Sequence, residues 1–99
     1  MSEESEPYVA ARELGRLLID AGFRVMTGGL CGVMEAASRG AHESACYREG
    51  DTIGLLPQGD PGEANPWVDI VLPTGMGHAR NSLVASGDAR VAVGGGAGT

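Results

Sequence analysis

Phe23-Arg24-Val25-Met26-Thr27-Gly28-Gly29-Leu30-Cys31-Gly32-Val33-Met34-Glu35-Ala36-Ala37 is the stretch whose reading decides the fold. A short apolar run, Phe23 to Thr27, leads into a glycine turn, and small and apolar residues then continue as a helix from Val33 to about Ala45. A strand that turns through glycines into a helix is the repeating joint of parallel α/β sheets. Paired glycines there let a backbone approach a ligand closely, and they serve equally well in a tight turn with no ligand.

The rest of the chain supports the same pattern. Residues 1–4 read as disordered. Ser5 can cap a helix, Glu6 suits its positive end and Pro7 fits its first turn. Ala10, Leu14, Leu17, Leu18 and Ala21 recur at helical spacing and predict one apolar face, and Gly22 ends that helix. In the second helix Ala36, Ala37, Gly40 and Ala41 are small enough to allow close approach to a sheet.

After a polar loop at Tyr47–Asp51, Thr52 to Leu56 predict a strand stopped by Pro57, and Val68 to Leu72 another stopped by Pro73. A turn-rich loop, Gln58 to Pro66, joins them. Thr74 to Ala79 form a further loop, Asn81 to Ser86 a short helix, and Arg90 to Val93 a fourth strand. The order α-β-α-β-β-α-β predicts a Rossmann-like α/β fold: one domain over 5–99, a doubly wound parallel sheet between two helical layers. It opens on a helix and closes on a strand, so the expected domain is partial, with four strands and three helices. Ligands of such sheets bind beyond the carboxyl ends of the strands, where the loops 27–34, 74–81 and 94–99 converge.

Composition narrows the partners. The net charge is −6 and there is no lysine; the cations are seven arginines. That balance opposes nonspecific nucleic-acid binding, which needs a basic face. It fits an acidic soluble surface, or adaptation to a salty cytoplasm. The acidic N-terminus and the lack of a long apolar run point to the cytoplasm and away from a membrane. Cys31 and Cys46 make neither a zinc pattern nor a disulfide scaffold; Cys31 reads as a small buried residue, with a reactive thiol as the alternative. Acidic residues and histidines are too scattered for a protein-built metal site, and no lysine is available for a pyridoxal Schiff base.

Two further stretches could carry chemistry. In Met76-Gly77-His78-Ala79-Arg80-Asn81 the Arg80 guanidinium can make two parallel bonds to a phosphate or carboxylate; its alternatives are an exposed side chain or an ion pair with Asp88. His78 reads as polar surface. The second is Gly94-Gly95-Gly96-Ala97-Gly98-Thr99, directly after the fourth expected strand. It lacks the Gly-Lys-Ser/Thr of a Walker loop and the spacing and position of the dinucleotide fingerprint, so a monophosphate suits it better than a dinucleotide.

In this order, Gly28-Gly29-x-x-Gly32-Val33-Met34-x-Ala36-Ala37, Gly54-x-Leu56-Pro57, Asn65-Pro66, Arg80-Asn81 and Gly94-Gly95-Gly96-x-Gly98-Thr99 resemble the lonely-guy family and its relatives, often mislabelled lysine decarboxylases. The pattern is most similar to the small branch that includes molybdenum-cofactor carrier proteins. The resemblance covers about Tyr8 to Thr99. It implies homodimers and a small phosphorylated ligand, either an AMP-like nucleotide or the molybdenum cofactor. The implied contacts are Gly28, Gly29, Gly32, Met34, Arg80, Asn81, Gly94, Gly95, Gly96, Gly98 and Thr99.

Hydrolytic members cleave the N-glycosidic bond of nucleoside 5′-monophosphates, using the arginine that matches Arg80 and a glutamate after the glycine-threonine motif. Here Asn81 stands where those members carry lysine, nothing follows Thr99, and the family's opening strand has no counterpart. Three readings therefore stand: a binding protein, a phosphoribohydrolase with Arg80 as its catalytic residue, or an inactive fragment, which could also be a segment that works with a partner chain.

Overall fold

A computed structural model of the chain describes residues 2–91 and 93. Helix α1 spans Glu6–Asp20. Ser5 caps it by accepting a hydrogen bond from the Tyr8 N–H at 3.3 Å, and Pro7 lies in its first turn. Strand β1 (Val25–Thr27), helix α2 (Val33–His42), strand β2 (Thr52–Leu56) and strand β3 (Ile70–Pro73) follow. A 3-10 turn at Pro61–Glu63 lies between β2 and β3. A second 3-10 turn, Gly77–Arg80, runs into the one-turn helix α3 at Asn81–Val84.

The three strands form a parallel sheet in the order β1-β2-β3. Val25 pairs with Thr52, and Ile53 with Ile70. Val25 is buried with Ile19 of α1 and Ala41 of α2, so α1 and α2 cover that face of the sheet. On the other face, the methyl end of Met26 lies beside Gly87, just beyond α3. That cover is short, and Leu72 of β3 remains 46% exposed.

The fourth strand expected at Arg90–Val93 is not formed among the described residues there, which are Arg90, Val91 and Val93. Val93 does pack against the cluster of Tyr8, Ala11 and Ala36.

The apolar face of α1 differs from its expected one. The buried residues are Tyr8, Ala11, Gly15 and Ile19, while Ala10, Leu17 and Ala21 are exposed and Leu14 and Leu18 half-buried. The cause is the nearness of α2. A Cβ on Gly15 would fall onto the Ala37 carbonyl, and one on Gly40 would fall onto the Arg12 carbonyl. Only small residues fit along such a line, so the leucines are pushed to its flanks. The small residues of α2 therefore bring it against α1 first, with Ala41 also in the core cluster of the strand residue Val25 and Ala37 packed against that cluster.

Helix α2 stops at His42, short of the expected Ala45. The His42 Nε2–H donates to the Trp67 carbonyl at 2.8 Å, and the Ser44 hydroxyl bonds to Asp20 and accepts from the Cys46 N–H. These bonds fix a turn where further helix would have run. Strand β1 is shorter than expected because Phe23 and Arg24 face solvent, and the Arg24 guanidinium donates to the Gly50 carbonyl at 2.6 Å.

Candidate ligand site at the carboxyl edge

The turn after β1 lies directly on β2. The Gly29 N–H donates to Thr27 Oγ1 at 3.0 Å, and Gly29 has φ +77°. A Cβ at Gly29 would meet a Leu56 methyl at 2.7 Å, and one at Gly54 would meet the Gly29 Cα at 2.8 Å. Gly29 and Gly54 are thus needed for backbone contact between turn and strand. Gly32, with φ +73°, caps α2 without any side-chain hydrogen bond.

The loop after β3 is tied to the end of β2. The Thr74 N–H and hydroxyl both bond to the Leu56 carbonyl, at 3.0 and 2.6 Å. The Gly75 N–H donates to the Gln58 carbonyl at 3.1 Å and the Gly77 N–H to the Pro57 carbonyl at 2.7 Å. Gly75 and Gly77 take φ +66° and +59° in doing so. The 3-10 turn that carries Arg80 is therefore anchored over the strand ends.

Arg80 reaches back across the edge to Gly28. A Cβ on Gly28 would stand 2.6 Å from Arg80 Nη2, 2.7 Å from Met34 Sδ and 2.9 Å from Arg80 Cζ. The guanidinium thus occupies space that only glycine leaves, flanked by the Met34 thioether. Its Nη1–H bonds to the Asn81 side-chain oxygen, while its Nε–H is buried without a partner among the described residues. A buried donor left unpaired is uncommon. No ion pair joins Arg80 to Asp88 among the described residues.

Gly28, Met34, Arg80 and Asn81 are therefore brought together, with Gly29 and Gly32 shaping the turn. Gly94, Gly95, Gly96, Gly98 and Thr99 lie outside the described residues. Cys31 corrects its expected burial: it is an exposed free thiol at the apex of the turn, and Cys46 is exposed as well. The turn's inner side is held by Asn65, which leaves Cys31 facing outward. Asn65 is 4% exposed, and its side-chain amide donates to the Gly29 and Leu30 carbonyls at 3.2 and 2.7 Å. Glu35 accepts from the Tyr8 hydroxyl at 3.2 Å, and so is engaged with α1.

A second polar cluster occupies the opposite, amino end of the strands. Asp69 accepts from the Tyr47 hydroxyl at 2.5 Å and from the Gly50 N–H at 2.9 Å, with His42 Nε2 at 3.3 Å. The His42 ring stacks on Tyr47 with centroids 4.1 Å apart. Burial pushes the Asp69 carboxyl up, but the bonds from Tyr47 and Gly50 outweigh it and hold it below its ordinary value. Burial, and then the bond to Asp69, push the Tyr47 phenol up. This cluster ties the end of α2 to the sheet.

Among the described residues, no group of three or more His, Cys, Asp or Glu side chains gathers to hold a metal ion. No helix among them is long and apolar enough to cross a membrane.

Comparison with known proteins matches this fold. The model of the SLOG cluster4 family matches residues 1–99. An uncharacterised protein of Archaeoglobus fulgidus is 39% identical over 97 residues, covering 97% of this chain and 61% of that protein. The structure of the molybdenum cofactor binding protein from the phototrophic bacterium Rippkaea orientalis superposes with a TM-score of 0.70 at 36% identity, covering 81% of this chain. That of TM1055, a structural genomics target, gives 0.65 at 31% identity, covering 85%. The chain spans 48% of each of these two solved chains, about half their length.

Proposed function

The chain belongs to the SLOG cluster4 family, and we propose that it binds the phosphate of a small phosphorylated ligand at the carboxyl edge of its sheet. The observation that carries this reading is the Arg80 guanidinium, set on Gly28 with its Nε–H buried and without a partner among the described residues. An anion beside that turn gives the guanidinium charge-assisted partners, which are stronger than neutral ones. The start of α2, capped by Gly32 without a side-chain bond, adds a favourable dipole end within one turn of Met34. The ligand is a nucleoside monophosphate or the molybdenum cofactor. The likeness to a molybdenum cofactor binding protein favours the second.

Calorimetric titration with AMP, with inorganic phosphate as control, tests the reading. Saturable binding of AMP beyond the phosphate signal is expected. Arg80→Ala should weaken it by about 1.5–3 kcal/mol, the scale of hydrogen bonds to a charged group. Equal affinity in the variant removes Arg80 as the anchor. The reading includes a homodimer, supported by the short cover over the sheet face at Met26 and the exposed Leu72 of the edge strand β3. Sedimentation at micromolar concentration checks it, and a compact monomer refutes it.

A further inference from the structure

We infer that Asn65 is a positioning residue for the ligand site: it holds the Gly28–Gly32 turn in its binding shape without itself touching the ligand. The inference rests on the proposed anion site at Arg80. Its own support is the hydrogen bonding of Asn65. The backbone N–H of Asn65 donates to the Gly29 carbonyl at 2.9 Å, and its side-chain Nδ2 donates to the Gly29 and Leu30 carbonyls. Its Oδ1 accepts from the Trp67 N–H at 3.0 Å, and its carbonyl from the Val68 N–H at 3.3 Å. Every polar group of this buried residue is thus engaged.

The consequence is directional. A turn that binds an anion must aim N–H groups outward, so its carbonyls must point inward, where water is excluded and each needs a donor. Asn65 supplies those donors to two successive carbonyls, Gly29 and Leu30. No other polar side chain among the described residues bonds to them. Aspartate has the same shape and would keep the bond from the Trp67 N–H, yet it would set an acceptor against two acceptors. Alanine would leave the Leu30 carbonyl unpaired and the Gly29 carbonyl with the backbone N–H of residue 65 alone.

The test compares wild type, Asn65→Asp, Arg80→Ala and Thr52→Val, all titrated with AMP below their unfolding transitions. Thr52→Val breaks the neighbouring bond from Thr52 Oγ1 to the Trp67 carbonyl at the other end of this segment. We expect Asn65→Asp to lose affinity for AMP by about tenfold or more, the effect of one such bond. It should also shift the amide resonances of Gly29, Leu30 and Gly32 with no ligand present. Thr52→Val should lower the unfolding midpoint and leave both readouts in place.

Wild-type affinity in Asn65→Asp, alongside a loss in Arg80→Ala, overturns the inference and leaves the anion site standing. No AMP or phosphate binding by wild type overturns the anion site, and the role assigned to Asn65 with it. If Asn65→Asp does not fold, hydrogen exchange of the Asn65 side-chain amide in wild type decides. Protons protected like those of the core support the clamp, and protons exchanging at the rate of free asparagine overturn it.

Discussion

Arg80 Nη2 occupies the place where residue 28 would carry a side chain, 2.6 Å from an ideal Cβ on Gly28. The two residues lie on different loops, at the ends of β1 and beyond β3, and glycine at one is the condition for the guanidinium at the other. Gly28 does not take a positive φ, so its role is spatial and not conformational.

Gly28→Ala therefore separates binding from stability. The atoms it would strike are the ends of two flexible side chains, Arg80 and Met34. The fold should tolerate it at a cost of roughly 1 kcal/mol, the low end for overpacking. Affinity for AMP should fall about tenfold, as expected for a displaced charged partner. Thermal unfolding and calorimetry on the same sample check both, and unchanged affinity would detach Gly28 from the site.

Gly40→Ala should do the reverse. Its Cβ would meet the backbone of Arg12, which cannot swing aside. Alanine gains up to about 1 kcal/mol in helix propensity, but overpacking of about 3 kcal/mol should exceed it. A lower unfolding midpoint is expected, and a raised one would show that the helices part freely.

Acid should act through Asp69. Its carboxyl binds a proton less readily in the folded chain than in the unfolded one. The resulting stability is fully present above the ordinary carboxylate value of about 4, and is lost as the pH falls through the lower folded value. Unfolding midpoints from about pH 6 to about pH 2 should fall more steeply for wild type than for Asp69→Asn. Parallel curves would remove the carboxylate from the acid response. Tyr47 has the opposite sign: its raised phenol adds stability that is present below about pH 10 and lost as the pH rises through the higher folded value.

Thiol reactivity reports on the turn. Cys31 and Cys46 are both exposed, so both should react with a soluble disulfide reagent in the native state. AMP should slow the reaction at Cys31, beside the proposed site, and leave Cys46 unaffected. Equal slowing, or none, would place the ligand elsewhere.

The sequence carried the elements defined by local chemistry. Ser5 and Pro7 begin α1 where their chemistry dictates, and Thr52–Leu56 is a strand to the residue because Pro57 cannot extend it. The pairing of Gly28 with Arg80 was legible only as two motifs on one sheet edge. Other features depend on partners far along the chain. Leucine spacing alone misplaces the buried face of α1, because Ala37 and Gly40 of α2 decide it. Asn65 stands out in sequence only as one half of an Asn-Pro pair, since its carbonyl partners lie about 35 residues away. The exposure of Cys31 follows from that same long-range bonding.

The crossing of α1 and α2 at Gly15 and Gly40 works as a ruler. A slip of one residue along either helix, about 1.5 Å, would drive a side chain into a carbonyl. The glycines thus set the position of α2 along its own axis, and with it how far Gly32 and the first turn of α2 stand from Arg80. Substitutions on the outer helix pair can in this way change what the carboxyl edge recognises without altering any residue there.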